Sequence, residues 1–214
     1  MLKDKIKIPK YTLSEEIVNA ATHGVGASLS IAALILCIIF SKNTLSVVSS
    51  IVYGSTSIIL YLMSTLYHSF KINNAKRIFR IIDHCSIFLL IAGTYTPYVL
   101  LVLPRSLGWS IFGIIWICAI IGIILNSIDL GKYKKISMIL YLIMGWMIIF
   151  SFDKLLSNMD IKGIYLMLSG GILYTLGAIF YALGKKKKYI HSLFHIFVLA
   201  ASICFFFSIF LYVI

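Results

Sequence analysis

Long apolar runs between charged residues constrain this chain more than any other feature. Seven windows of 17 to 28 residues contain no Asp, Glu, Lys or Arg. A helix crosses the hydrocarbon core of a bilayer with roughly 20 mostly apolar residues. The runs show no period-2 alternation and are too long for barrel strands, so they predict membrane-spanning helices. The windows are residues 24–41, 43–70, 85–104, 106–128, 136–152, 163–184 and 189–214.

The composition excludes an ordinary soluble domain. Hydrophobic residues make up 61% of the chain and charged residues 12%, whereas soluble domains have about 45–50% and about 25%. We therefore expect an all-α, polytopic membrane protein, with residues 1–214 forming a single seven-transmembrane-helix bundle in the cell membrane. The expected spans are approximately 20–41, 45–69, 84–103, 108–128, 136–152, 163–184 and 190–213.

The basic residues predict how the bundle is oriented. The formal net charge is +12, and the Lys and Arg residues cluster in alternate loops. One side of the predicted bundle carries fifteen of them and the other side four, which places the N-terminus in the cytoplasm and the C-terminus outside. The same clusters predict contact with anionic lipid headgroups, and we expect no nucleic-acid partner. The fifteen are Lys3, Lys5, Lys7, Lys10, Lys71, Lys76, Arg77, Arg80, Lys132, Lys134, Lys135 and Lys185 to Lys188; the four are Lys42, Arg105, Lys154 and Lys162.

Ionisable residues near the hydrocarbon converge on the predicted cytoplasmic side. Such residues are costly in lipid, so they are the first candidates for a functional site. They lie at the inner ends of the first, second, third and seventh spans. They are His23, His68, Asp83, His84, His191 and His195.

The spacing of the histidines favours a metal site. His191 and His195 are four residues apart, so on a helix they share one face and can point at one ion. Ser64 and His68 have the same spacing at the end of the second span. His68 as a third ligand completes a three-histidine site with one open position, the pattern of a catalytic zinc ion.

Other interpretations of these residues stay open from the pattern alone. Interfacial histidines also hydrogen bond to lipid headgroups or backbone carbonyls. Asp83 suits an ion pair with Arg80 or Arg77, or the N-terminal end of a helix. A serine within a span, such as Ser64, usually bonds to the carbonyl four residues before it. His84 points about 100° away from Asp83 on a helix, and so either supports the ligands or faces lipid.

A further polar stripe precedes the first apolar run. Glu16, Asn19 and His23 follow one another at spacings of three and four residues. The stripe suits a hydrogen-bonding face that holds the metal ligands, since such ligands generally need outer partners. It suits equally well a helix cap followed by an interfacial helix start.

Four motifs in this order resemble the haemolysin III family. That family belongs with the progestin and adipoQ receptors and, more distantly, the alkaline ceramidases, and the resemblance runs from about residue 10 to the end. It implies a seven-helix bundle with zinc in the cytoplasmic leaflet and His68, His191 and His195 as ligands. Asp83 would contact the zinc-bound water, and Ser64 would correspond to the family's serine. The bacterial members of the family also imply a bacterial plasma membrane. The motifs are EEIVNAATHGVGA, STLYHS, RIIDHCSIFLLIAGTYTPY and HSLFHIFVLAAS.

Three functions follow as expectations. The first is a zinc-dependent, ceramidase-like hydrolase of amide-linked membrane lipids, in which Asp83 takes a proton from water and Ser64 donates a hydrogen bond to the substrate carbonyl. The second is a pore-forming cytolytic protein. The third is a non-catalytic sensor of membrane lipid or fluidity that carries a structural zinc ion. The sequence leaves the oligomeric state open.

Overall fold

The fold is entirely helical across the described residues. The computed structural model describes residues 6–183 and 188–214, so Lys3, Lys5 and Lys185 to Lys187 of the charge pattern lie outside the described residues. Within these ranges no strand is present, and the predicted all-α class is confirmed. The order is α1 (Leu13–Ile39), α2 (Thr44–Ser69), α3 (Asn74–Pro97), a π-helical turn (Tyr98–Val102), α4 (Arg105–Trp146), a 3-10 turn (Met147–Ser151), α5 (Phe152–Asn158), α6 (Ile161–Leu183) and α7 (Ile190–Tyr212).

The helices extend beyond the predicted spans because polar caps set where they begin. Before α1, the Thr12 hydroxyl accepts a hydrogen bond from the Glu15 N–H, and the Glu15 carboxylate accepts one from the Thr12 N–H at 2.9 Å. Asn43 and Ser46 form the same reciprocal cap at α2, while at α3 the Asn73 side chain accepts a hydrogen bond from the Lys76 N–H. These caps satisfy N–H groups that a helix start leaves unpaired. The first turns therefore carry polar residues into the interfacial region.

Within residues 6–183 and 188–214, six helical segments are long and apolar enough to cross a membrane. The count differs from the seven predicted spans because residues 108–128 and 136–152 both fall within one segment, Arg105–Asn158. This segment is interrupted at Asp129, whose φ of −160° and ψ of 95° are not helical. The Asp129 carboxylate accepts hydrogen bonds from the N–H groups of Gly131 and Lys132 at 3.0 and 2.9 Å. A new helical stretch thus begins with its own cap.

The chain folds back at this interruption. Asn126, before it, and Tyr141, after it, both donate hydrogen bonds to the carbonyl of His84, at 3.5 and 2.7 Å. In a straight helix these two residues would be about 22 Å apart along the axis. Further along, the Tyr95 hydroxyl donates to the carbonyl of Gly145 at 3.0 Å, so the second part of α4 runs alongside α3.

The outer surface of the bundle is apolar. On the first part of α4, large aliphatic side chains recur on the exposed face, where soluble proteins carry charge. In a bilayer that face contacts lipid, and the helical backbone satisfies its own hydrogen bonds. Examples are Ile114, Ile117, Ile121, Ile124 and Ile128.

Contacts between α2 and α7 align the two helices that carry the predicted ligands. Consecutive helices pack side by side, and α1 also packs against α7. Leu60 and Tyr61 of α2 are buried in one apolar cluster with Val198 of α7. The Tyr61 hydroxyl donates to the Ser202 hydroxyl at 2.6 Å. This contact fixes the relative height of α2 and α7.

Candidate metal centre

The three histidines predicted as ligands lie together. His68 ends α2, while His191 and His195 lie in the first two turns of α7. One nitrogen from each ring lies within 4.8 Å of the others, and all three residues are buried. The Nε2 atoms of His191 and His195 are 3.1 Å apart. Two ligands at 2.0–2.1 Å from a tetrahedral ion are separated by roughly 3.3 Å, so this spacing fits a shared ion.

An unpartnered nitrogen on His68 supports the metal interpretation. Its Nδ1 lies 2.6 Å from the Glu16 carboxylate. Its Nε2 is buried and has no hydrogen-bond partner among the described residues. A buried polar atom without a partner is costly, and neutral imidazole nitrogen is a good zinc ligand. The donor set therefore fits a zinc ion.

The predicted supporting face of α1 contacts the ligands. Glu16 lies between two groups: its Oε2 is 2.6 Å from His68 Nδ1, and its Oε1 is 2.5 Å from the Lys76 ammonium. The amide nitrogen of Asn19 is 3.4 Å from the same His68 Nδ1. A ligand histidine is commonly oriented by a carboxylate on its other nitrogen. Glu16 has that position here.

His23 lies against the site without joining the ligand group. Its ring stacks on His195 with 3.7 Å between centroids, and it meets Tyr61 edge-on at 5.0 Å. Both of its ring nitrogens are buried and lack a hydrogen-bond partner within residues 6–183 and 188–214. The structure thus places His23 behind a ligand ring, where it restricts the position of His195.

Ser64 has a free hydroxyl, unlike most polar side chains on its helix. It is 1% exposed, and the hydroxyl oxygen has no partner in the described part of the chain. The bond to the carbonyl four residues before it, which is one of the open interpretations, is absent from the hydrogen bonds of α2. Five other hydroxyls on α2 do make that bond: Ser50, Thr56, Ser57, Thr65 and Ser69.

Asp83 and His84 form a pair at the same end of the bundle. His84 Nδ1 lies 3.4 Å from an Asp83 carboxylate oxygen and 2.9 Å from the carbonyl of Arg80. Because a carbonyl only accepts, Nδ1 carries the hydrogen, and Nε2 accepts from the Tyr181 hydroxyl at 3.1 Å. His84 is buried rather than lipid-facing. Among the described residues, Asp83 makes no ion pair with either neighbouring arginine.

A cavity of about 150 Å³ connects these groups to the middle of the bundle. Its polar end is formed by Ser64, Asp83, His191 and His195 together with His23 and His84. The remaining lining is mostly apolar and extends along α3 as far as Tyr98. Fifteen residues of helix separate Asp83 from Tyr98, which is about 22 Å. The cavity is therefore long, and the aspartate and histidine side chains of its lining lie together at one end.

Three residues at the site were missed by sequence reasoning. Tyr11 stacks on His191 with 5.0 Å between ring centroids, and burial raises its pKa, so the phenol stays neutral. Lys76 was assigned only to the loop charges, and Tyr181 lies within an apolar run. No spacing rule marks these positions, because each reaches the site from a different element.

Comparison with known proteins supports the family resemblance of the four sequence motifs. Residues 11–206 match the family described as Haemolysin-III related. The chain belongs to this family. The haemolysin-III-related relatives include Hemolysin-3 of Bacillus cereus, 46% identical over 94% of this chain and 93% of that protein. The Hemolysin-3 homolog of Bacillus subtilis is 42% identical over 94% of this chain and 96% of that protein.

A more distant relative is mammalian. The monocyte to macrophage differentiation factor of Homo sapiens is 26% identical over 95% of this chain and 86% of that protein. This haemolysin-III-related chain is a membrane protein, and its family match spans the whole candidate site from Glu16 to His195.

Proposed function

We propose that this haemolysin-III-related protein is a zinc-dependent hydrolase of amide-linked membrane lipids. One observation carries the proposal. Two of the three clustered histidines line a long, mostly apolar cavity together with a carboxylate and an unbonded hydroxyl, and the third, His68, lies next to those two. Catalytic groups need a common space that a substrate can enter, and ligand pockets are typically apolar with a few convergent polar groups.

The ligand set favours zinc with an open coordination position. His68, His191 and His195 would hold the ion through three imidazole nitrogens. Three protein ligands are typical of catalytic zinc, whereas structural sites usually have four. When bound, zinc supplies a Lewis acid that polarises a carbonyl and lowers the pKa of a coordinated water to about 7.

The remaining polar groups suit the other parts of amide hydrolysis. Asp83 would accept a proton from the attacking water and return it to the nitrogen as the amide C–N bond breaks, which yields a carboxylic acid and an amine. His84 lies against the Asp83 carboxylate and would hold its orientation. The Ser64 hydroxyl would donate to the carbonyl oxygen as negative charge develops there, a contact worth about 2.7–4 kcal/mol in comparable sites.

The cavity suggests the substrate class. Its apolar lining suits an acyl chain, while its polar end suits the amide group at the head of that chain. Ceramide-like lipids combine these two parts. The tyrosine and methionine side chains along the cavity, such as Tyr98 and Met167, favour a lipid acyl chain that packs between the helices rather than water.

We further propose seven spans, with the N-terminus and the metal centre on the cytoplasmic side. As one straight helix, Arg105–Asn158 would be about 80 Å long, far more than the roughly 30 Å hydrocarbon core. The interruption at Asp129 and the return of the chain along α3 support two spans here. The loop charges then follow the positive-inside rule.

The test combines metal analysis with lipid mass spectrometry. Detergent-purified protein is incubated with amide lipids of defined acyl length, and the released fatty acid is measured. We expect Asp83→Asn to keep zinc but to lose turnover by at least about 100-fold, and His191→Ala to lose both. Asp153→Asn, an exposed acid on α5, is the matched control. No product from zinc-loaded wild-type protein would contradict the hydrolase, and full turnover in Asp83→Asn would remove its base.

Cytolysis is the second candidate because two relatives are named Hemolysin-3 or its homolog. Dye leakage from liposomes separates the two functions. Leakage caused by the wild-type protein and unchanged in His191→Ala would favour a pore that does not need the metal. Zinc-dependent thermal stability with neither leakage nor lipid product would favour a non-catalytic sensor.

A further inference from the structure

Lys76 is buried, although it lies among the loop charges that predict orientation. It is 2% exposed. A lysine in such a loop normally extends its ammonium into water, because burying the charge is costly unless it is paired. The Lys76 ammonium is fully engaged instead: it donates to Glu16 at 2.5 Å and to the carbonyl of Phe70 at 2.9 Å, and it lies 5.2 Å from the centre of the Tyr67 ring.

The contacts of Lys76 lead directly to a predicted metal ligand. Glu16 uses one carboxylate oxygen for Lys76 and the other for His68 Nδ1. A carboxylate only accepts hydrogen bonds, so Nδ1 carries the hydrogen and Nε2 presents its lone pair. That Nε2 is the buried nitrogen without a partner among the described residues. Lys76 therefore joins the start of α3 to α1 and, through α1, to the end of α2.

We propose that Lys76 is a positioning residue of the metal centre. Its ammonium fixes the Glu16 carboxylate, and that carboxylate holds the His68 ring in the orientation and tautomer that bind the ion. This inference rests on the metal centre of the proposed function. Without the ammonium, the carboxylate loses its second anchor and is free to turn away from the ring.

The expected effect is on metal affinity. Loss of the partners that orient metal ligands typically weakens binding by about 10–100-fold. We expect Lys76→Met to weaken zinc binding by that factor. Lys71→Met is the matched control, since it removes an exposed ammonium from the connection just before α3, and it should change zinc affinity by less than about 2-fold.

The experiment is a competition titration of metal-free protein with zinc and a chromophoric chelator, in one detergent at one pH. It includes Glu16→Gln and the double variant Glu16→Gln/Lys76→Met. If Lys76 acts through Glu16, its replacement has no further effect on zinc affinity in the Glu16→Gln background. A general structural role would instead lower affinity equally in both backgrounds, and that result would overturn the inference.

The double variant also keeps the test valid if Lys76→Met does not fold. It removes both charges of the buried pair, so no unpaired charge is left inside. Equal affinity of Glu16→Gln and the double variant then supports the inference, and a further loss in the double variant contradicts it.

Wild-type titrations separate this inference from the proposed function. Zinc binding that is lost in His191→Ala and unchanged in Lys76→Met overturns only the role of Lys76. No zinc binding by the wild-type protein overturns the metal centre and the role of Lys76 together.

Discussion

At the residue scale, the unpartnered Ser64 hydroxyl is the feature that most supports the proposed substrate site. Leaving a buried hydroxyl without a partner costs about 1–3 kcal/mol. Its neighbour on the helix, Ser57, avoids that cost by bonding to the carbonyl of Tyr53 at 2.9 Å. Ser64 lines the same cavity as Asp83, His191 and His195. In the proposed function, a bond that forms only when a substrate is bound would offset this cost.

We therefore expect Ser64→Ala to raise the apparent midpoint of thermal unfolding while lowering turnover. Removing the unpaired hydroxyl should stabilise the fold by up to about 1–3 kcal/mol, and loss of an oxyanion donor should cost about 100–1000-fold in turnover. Ser57→Ala is the control. It removes a satisfied hydrogen bond and should not raise the midpoint. A lower midpoint for Ser64→Ala would show that the hydroxyl has a partner in the folded protein.

The sequence predicted which three histidines come together, because their spacing carries the geometry. His191 and His195 share a helix face at any tilt of that helix, and His68 occupies the end of an adjacent predicted span. The sequence could not predict that Lys76 and Tyr11 lie at the candidate metal centre. Their positions depend on how α3 and the segment before α1 approach α2 and α7, which is a matter of tertiary packing.

At the element scale, a glycine without a side chain allows α3 to approach α2 closely. Gly93 of α3 lies directly against the Thr56 side chain of α2, and an added methyl group would overlap it. Membrane helices commonly pack through small residues, because lipid offers no hydrophobic driving force between them. This contact holds α3, with Asp83, against α2, with Ser64.

Gly93→Ala should therefore destabilise the protein by about 1–3 kcal/mol through overpacking. Gly113→Ala is the control, since open space surrounds that position, and its effect should range from neutral to about 1 kcal/mol of stabilisation. Thermal unfolding in one detergent at one scan rate compares the two. Equal midpoints for both variants would contradict the close packing of α2 and α3.

The interruption of α4 shows what charge patterns do and do not reveal about elements. The charges from Asp129 to Lys135 separated two apolar windows, and the backbone leaves the helix at Asp129 itself. The charge pattern did not predict where the other helices begin and end. Those ends depend on caps such as Asn73, which a search for apolar runs does not register.

At the scale of the whole molecule, the prediction concerns the orientation of the helical bundle in the membrane. If the chain has seven spans, residues on the two sides of the second part of α4 must lie on opposite sides of the membrane. In a variant without native cysteines, Ser157→Cys should react with a membrane-impermeant maleimide in intact spheroplasts, and Lys132→Cys should react only after lysis. Reaction of both positions in intact spheroplasts would contradict the seven-span arrangement.

X-ray absorption spectroscopy of the purified protein tests the central claim most directly, because it reports the metal and its ligands without assuming an activity. We predict about one zinc per chain, coordinated by three imidazole nitrogens at about 2.0–2.1 Å. Replacing His68, His191 or His195 singly by alanine should lower the zinc content sharply. Zinc that remains at full stoichiometry when all three are replaced, or a wild-type protein without bound metal, would contradict the account.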